Sequence, residues 1–514
     1  MTSLTADCLL EVLENLKNEN STLHSCLLVN RLWCQQTIPI LWHHPFDYEI
    51  SKRRCITIIQ TYIACLKKQE IQEKFTQLSS FELNKPLFDY PRYLQHLQIS
   101  NIRKAINRWI LFNAFNDKFD ILFQLLINLF FNRTKGFREL SVYLDHDSDW
   151  LKMPHLLQNN LSLSNLQKFN FIYENKKDVE VCLGTQPSAL FELLQKYAKN
   201  IRNLKFSITF HNKQRCLQSQ LALLISLLIE SQQGIEILEL NDFWNIKKPS
   251  QIFKAIDSQF LSLRYLHVEG LKNFDPLLTI LVHCNNLETL NLKNFGQTML
   301  IENFDKVKFS NLNIKHLYSW DIPSYLDADD MGLLLKMINK SLRTLALDRV
   351  DDGLIEIIEN FCPNIQSLSL AMFNASFPKL LPSLIYNLPL NHLYLDIFGY
   401  NFAEILTELT NSIPSSVTSL YINFTLDSEQ FNYFLNEMNA RPNTLGIIDR
   451  FMIQKEYLKI IEIVVEYAKN HDNLKVLHWF GNLDDNIKAI AETIDTMTII
   501  CSSECDFLDS QTHL

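Results

Sequence analysis

The chain has 514 residues, 47% hydrophobic and 20% charged, with 34 Phe but only 10 Gly and 15 Pro, so it exceeds one compact core and lacks flexible linkers. One continuous, repeat-built body is expected. A net charge of −9 argues against a nucleic-acid surface, Lys52-Arg53-Arg54 reading as a solvated turn, and the apolar runs 121–131 and 221–229 are too short for a bilayer span and read as buried helices.

The opening, MTSLTADCLLEVLENL, carries Asp7 and Glu11 and no basic segment, so a signal peptide is not expected and a reducing compartment, cytoplasmic and/or nuclear, is. The 11 cysteines are an odd count with no CxxC spacing, which fits free buried thiols better than disulfides or a metal site. The sequon matches at Asn132 and Asn374 are then chance. Thr5 caps a first helix with Asp7 in its first turn, and Leu9, Val12, Leu13 and Leu16 follow at helical spacing. The KNENS segment (17–21) breaks it, Ser21 caps a second helix through Leu23, Cys26 and Leu27, and a third runs from about Arg31 to Trp42 with Pro39 bending or interrupting it. Three such short helices make a core too small to stand alone. Their apolar residues must dock on the rest of the chain or await a partner.

Segment 46–136 reads as a helical connector: one helix from Phe46 to about Phe75, a Pro-punctuated connection over 81–97, and one or two helices within 102–131. It is too apolar for a flexible linker, so it is expected to join its neighbours rigidly.

From residue 137 a pattern LxxLxL recurs, as LETLNL (287–292), LRTLAL (342–347), IQSLSL (365–370), LNHLYL (390–395), VTSLYI (417–422) and LKVLHW (474–479). Weaker copies begin at 166, 201, 235, 263 and 314, and LGIIDR at 445 fills a gap. From 235 to 417 the starts step by 28, 24, 27, 28, 23, 25 and 27 residues. The alternation puts two leucines on one face of a short strand, and the stretches between copies, such as 351–362, 402–413 and 457–470, carry apolar residues at helical spacing. Each strand–helix unit has one apolar stripe that it cannot cover itself. Stacking neighbours solves this, with parallel strands on one side and helices on the other.

This pattern resembles the leucine-rich repeat family over 137–480, with 481–514 left as a C-terminal cap and tail. HCNNLETLNL (283–292) and FCPNIQSLSL (361–370) resemble its cysteine-containing subtype, Cys284 and Cys362 being small buried residues without assigned chemistry. Most copies lack the Asn or Cys expected after the strand, so irregular turns are expected. Residues 1–45 resemble the F-box: Leu4 to Leu16 its opening, Val29-Asn30-Arg31-Leu32-Trp33 its second half and Trp42 its closing tryptophan, with Thr5 where that family has proline. The fold implied is α/β: a three-helix module, a helical connector, and a solenoid with an inner parallel sheet and outer helices.

The resemblance implies the function too, a non-catalytic substrate receptor of a Skp–cullin–F-box type ubiquitin ligase, whose module docks on the adaptor and whose repeats hold a protein substrate. Leu4, Leu9, Val12, Leu13, Leu16, Leu28, Val29 and Trp33 would then face the adaptor, or, notably for Leu13 and Trp33, pack inside the bundle; Arg31 reads as solvated. Residues alternating with the leucines would point to the open face of the sheet: Tyr318, Trp320, Asp348, Tyr394, Asp396, Tyr421 and His478, aromatics beside carboxylates of the kind that make binding hot spots. No cofactor is implied and no nucleotide, zinc-protease or hydrolase motif is found. Two other readings stand: a repeat scaffold or ligand-binding protein whose N-terminal helices cap the solenoid, and an extracellular recognition protein, which the free cysteines disfavour.

Overall fold

The computed structural model describes residues 5–46, 51–67, 69, 85–115, 118–144, 160–175, 186–210, 215–243, 246, 249–271, 275–294, 312–320, 328–348, 350–372, 379–397, 405–424, 426–448, 454–471, 473–480 and 498–502. They belong to two compact units, Met1–Ser262 and Leu263–Leu514. The division falls inside the predicted repeat span.

The first unit opens with α1 (Ala6–Asn15), α2 (Asn20–Cys26) and α3 (Arg31–Leu41). Thr5 accepts the Cys8 N–H at 3.4 Å and so caps α1. Asn30, which the sequence reading passed over, caps α3 by accepting the Trp33 N–H at 3.0 Å. Glu19, not Ser21, stands at the cap of α2, and Pro39 lies within the last turn of α3, which continues past it. The expected connector supplies α4 (Lys52–Ala64), a 3-10 turn (Tyr90–Tyr93), α5 (Ile99–Asn113) and α6 (Phe119–Arg133), but also a strand, β1 (His96–Gln98). That strand sits in LQHLQI (94–99), itself a copy of the repeat pattern.

Then come β2 (Glu139–Leu144), β3 (Lys168–Asn175), α7 (Gln186–Tyr197), β4 (Asn203–Phe210), α8 (Arg215–Glu230), β5 (Ile237–Asn241) and α9 (Pro249–Asp257). Strands β1 to β5 pair in parallel, in sequence order, with Leu97, Leu140, Phe169, Leu204 and Leu238 in one register row. Phe169, Phe171, Phe191 and Phe206 fill the space beneath it, the Phe171 and Phe191 rings meeting edge to face at 5.2 Å.

The second unit alternates β6 (Tyr265–Glu269), α10 (Asp275–Leu281), β7 (Thr289–Lys293), β8 (His316–Trp320), α11 (Ala328–Ile338), β9 (Thr344–Leu347), α12 (Asp352–Phe361), β10 (Ser367–Met372), α13 (Leu381–Asn387), β11 (His392–Ile397), α14 (Leu406–Ser412), β12 (Ser419–Phe424), α15 (Ser428–Glu437), β13 (Thr444–Ile448), α16 (Gln454–Asn470), β14 (Val476–Phe480) and β15 (Thr498–Ser502). Its ten strands are parallel and in order. One row runs unbroken through Leu266, Leu290, Leu317, Leu345, Leu368, Leu393, Leu420, Leu445, Leu477 and Ile499. Eight of these are the fourth residue of a repeat copy; Leu445, expected to open its copy, holds the fourth position instead, so that copy begins at 442, and all that are described in side-chain detail are buried. β15 lies in the stretch expected to be cap and tail.

The helices of adjacent repeats, α11 to α16, pack side by side. Asp351 caps α12 by accepting the Leu354 N–H at 2.8 Å, and Asp427 with Gln430 forms a reciprocal box at the start of α15.

Most turns that follow the strands, where the missing Asn or Cys predicts irregularity, lie outside the described residues, but the entrances to the strands are regular. At the start of nearly every strand two successive N–H groups share one carbonyl of the preceding repeat: Arg138 and Glu139 on Gln95, Gln167 and Lys168 on Arg138, Glu288 and Thr289 on Arg264, Asn443 and Thr444 on Thr418. At the helix exits glutamines and serines replace the absent ladder. Gln259 Oε1 accepts the Ile235 N–H at 3.2 Å while its Nε2 donates to the Ile229 and Gln232 carbonyls; Gln232 serves Ile201 likewise, and Ser341 donates to Leu312 and Ile314. Cys362 donates its thiol to the Leu335 carbonyl, and burial pushes that thiol up to about 12.

Candidate functional site

Two surfaces carry the predicted residues. The first is the N-terminal module. Leu9 and Leu13, four apart on α1, share one helix face and close with Leu23, Cys26, Ile40 and Leu41 into a sealed core, against which Leu16, Leu27, Trp33 and Trp42 pack in part. Leu9 therefore does not face outward and Leu13 takes the inward of its two expected places, because a three-helix bundle has only these residues with which to close its own interior. Leu16 and Trp33 are half-buried. Leu4 lies outside the described residues. Val12 is exposed, and Leu28 and Val29, at the corner between α2 and α3, are 87% and 56% exposed. Leu10 and Leu32, which sequence reasoning missed, are also exposed. Their signal was phase: at about 100° per residue, Leu10 and Val12 fall on opposite flanks of the Leu9–Leu13 stripe. Arg31 is exposed.

The other end of α3 is bound into the chain. Trp42 packs on Tyr90 with the rings tilted at 39° and centroids 4.2 Å apart and meets Tyr62 edge-on at 5.3 Å, and Tyr62 in turn packs on Phe46 and Phe130. The His43 carbonyl accepts the Gln95 and His96 N–H groups at 2.9 and 3.0 Å. This is the shared-carbonyl pattern of the repeats, so the end of the module takes the place of a repeat preceding β1. Glu139 on β2 lies 3.2 Å from His96 and 3.4 Å from Lys168; burial pushes its carboxyl up, but these two neighbours outweigh burial and hold it below the ordinary range.

The second surface is the sheet face opposite the helices in the second unit. One register row there reads Asn291, Tyr318, Ala346, Ser369, Tyr394, Tyr421, Gly446, His478 and Ile500. It brings together three predicted residues: the Tyr394 and Tyr421 rings are 6.4 Å apart, and the Tyr421 and His478 rings 5.7 Å. Gly446 makes the contact possible, since a Cβ there would lie 1.9 Å from Tyr421 Cδ1. Tyr318 lies three strands from Tyr394, with Ala346 and Ser369 between them. Trp320 belongs to another row, with Lys293 and Glu269.

Four predicted contact residues do not stand open. Tyr318 and Tyr394 are each 4% exposed, Asp396 is 2% and Asp348 8%. The alternation correctly gives the face, but parallel strands about 4.8 Å apart let like positions cover one another, and Asp396 spends a carboxylate oxygen on the Asn423 amide at 2.8 Å. Burial raises the Tyr318 hydroxyl to about 12 and lowers His478. Trp320, Tyr421 and His478 remain half-exposed, and Ile500 at the C-terminal end is exposed. The accessible part of the row is therefore its far end, over β12 to β15. In the first unit β2 and β5 alternate strictly between buried and half-exposed residues along the strand, so one face of each is left half-exposed.

Among the described residues no group of His, Cys, Asp and Glu could hold a metal ion, and no helix is long and apolar enough to cross a membrane. Cys8, Cys26, Cys34, Cys55, Cys65, Cys284 and Cys362 form no disulfide. No family model matches the sequence, and no curated protein matches it. Among solved structures, that of the Rad7 and Elc1 complex in yeast is similar at 12% identity over 97% of this chain and 98% of that one, with a TM-score of 0.40.

Proposed function

We propose that the chain is a non-catalytic substrate receptor of a Skp–cullin–F-box type ubiquitin ligase, acting in the cytoplasm and/or nucleus. The module docks on the Skp-type adaptor through Val12, Leu28 and Val29, joined by Leu10 and Leu32, and the accessible end of the sheet row, Tyr421 and His478, receives a protein substrate. The observation that supports this reading is the division within the module: its core is sealed by Leu9 and Leu13, yet Leu28 and Val29 stand in solvent at 87% and 56% exposure. Fully burying such a side chain contributes about 1.5–3 kcal/mol. A partner's groove would supply that burial.

Calorimetric titration of the full chain with a Skp-type adaptor tests the reading. Binding should be present in the native chain and lost in Leu28→Asp/Val29→Asp, whose fold is intact because both sites are exposed. No binding by the native chain, or undiminished binding by the double variant, refutes it.

A second reading, a repeat scaffold capped by its N-terminal helices, is favoured by one feature: the His43 carbonyl receives two N–H groups at the entrance to β1. Truncation separates the two roles. Removing residues 1–30 should abolish adaptor binding and leave the sheet edge intact, whereas removing 1–45 strips the edge as well.

A further inference from the structure

Two faces of the first unit carry opposite charge beside exposed apolar side chains. On α1, Asp7, Glu11 and Glu14 recur at i, i+4 and i+7, so they form one stripe on the side away from the Leu9–Leu13 core, with Leu10 and Val12 on its flanks; all five are exposed. On α5 the exposed stripe is Lys104, Arg108, Leu111 and Phe112, and its two apolar residues are 73% and 68% exposed. Arg108 Nη1 donates to Cys55 Sγ at 3.2 Å, which sets that stripe beside Lys52-Arg53-Arg54 at the start of α4.

The sequence reads those three cations as a solvated turn. Instead they form the first turn of a helix, where the partial positive charge of the unsatisfied N–H groups disfavours them. Glu14, in the last turn of α1, faces the negative end of that helix in the same way. Neither placement serves the helix that carries it. α4 and α5 bear three Lys and Arg each and no Asp or Glu, in a chain whose net charge is −9. Within one copy α1 packs on α3 and α4 on α5, and among the described residues Asp7, Glu11, Glu14, Lys52, Arg53 and Arg54 enter no ion pair. The two charged faces therefore do not satisfy each other within a single molecule.

We propose that two copies of this chain pair, each laying the acidic stripe and Leu10 of its α1 across the first turn of α4 and the Leu111–Phe112 corner of the other. Because every copy carries both faces, a two-fold pair satisfies both contacts at once and closes. Opposite charge sets the orientation, and burial of Leu111 and Phe112 supplies the apolar part. Pairing requires no adaptor. Leu10 and Val12 also belong to the proposed adaptor surface, so where that reading holds a second copy and the adaptor exclude each other, and only the separated chain is open for docking.

Sedimentation equilibrium of the full chain at low salt should give twice the mass of the 60.3 kDa chain, falling to the single mass as salt is raised to about 1 M, where the screening length is about 3 Å. Glu11→Lys/Glu14→Lys and Lys52→Glu/Arg53→Glu/Arg54→Glu alter surface positions in the sense that the helix dipole favours, so both variants should fold as the native chain does. Each alone should be monomeric, because its α1 stripe and its α4 turn then carry the same sign. Mixed one to one they should pair, because each face then meets the opposite sign on the other variant. The proposal is overturned if the native chain is monomeric at low salt, if either variant pairs by itself as the native chain does, or if the mixture stays monomeric. No adaptor is present and neither variant touches Leu28 or Val29, so this test and the docking test fail independently.

Discussion

Replacing Gly446 by alanine adds one methyl group to the middle of β13 and should be among the more damaging small changes in the second unit. In an ordinary strand the change is favourable by about 0.5–1 kcal/mol, because glycine loses more backbone freedom on folding. Here the new Cβ would fall 1.9 Å from Tyr421 Cδ1, 2.5 Å from Cε1 and 2.8 Å from Cγ. The ring cannot slide, because Tyr394 and His478 flank it at 6.4 and 5.7 Å. It must swing off the sheet and lose both ring contacts, each worth about 0.5–1.5 kcal/mol, on top of an overpacking cost of about 1–3 kcal/mol. The balance is a net loss of about 1–5 kcal/mol. Urea unfolding of native, Gly446→Ala, Tyr421→Ala and double-variant chains gives the coupling directly. In the Tyr421→Ala background the methyl group should become neutral or stabilising. A neutral Gly446→Ala single variant, or the same cost with and without the tyrosine ring, would refute the packing argument.

Leu13→Ala should destabilise the N-terminal module by about 2–5 kcal/mol, as for a sealed leucine, and speed exchange throughout α1 to α3, whereas Leu28→Ala should change stability by no more than about 0.5 kcal/mol. Gln259→Ala should cost about 1–3 kcal/mol, since it leaves the Ile235 N–H and two carbonyls without their side-chain partner, and the Ile235 amide should exchange faster. His316, His392 and His478 are held below their ordinary value of 6.5 by burial. At these three sites the folded chain binds fewer protons than the unfolded one, so the stability they contribute is full above about pH 6.5 and declines below it. Unfolding midpoints at pH 7.5 and 5.5 should differ in that direction, with a smaller difference in His478→Gln.

The leucine rows were legible because a strand's inward face is fixed by alternation within six residues, and every repeat copy supplied the same answer. β1 was harder to see: LQHLQI (94–99) stands alone between Pro91 and the long apolar helices, far from the next copy, so it read as part of a connection. Depth was harder still. Tyr394 and Asp396 lie on the predicted face, but whether a residue on that face meets water depends on neighbours such as Tyr421 and Asn423, 27 positions away in each case. Gly446 was invisible for the same reason. A glycine in LGIIDR reads as a weak point of a strand until the ring of the preceding repeat is seen lying across it. Within the module, helical spacing selected Leu9, Val12, Leu13 and Leu16 together, and only the packing of α3 across α1 separated Leu13, which is sealed, from Val12, which is not.

That separation bears on which role the module serves. A helix of 11 residues such as α3 is about 16 Å long. Its C-terminal end meets β1 through the His43 carbonyl, with Trp42 packed on Tyr62 and Tyr90, whereas Leu28 and Val29 precede its N-terminal end. A segment whose whole purpose was to cap the chain's body would turn its apolar side chains toward that body, as Trp42 does toward Tyr62 of α4 and Tyr90 of the turn before β1. Instead two of the most exposed apolar residues of the module stand a helix length away from the surface to be capped, where they contribute nothing to the stability of this chain. Capping explains one end of α3. The other end calls for a second surface, which the proposed adaptor docking would supply.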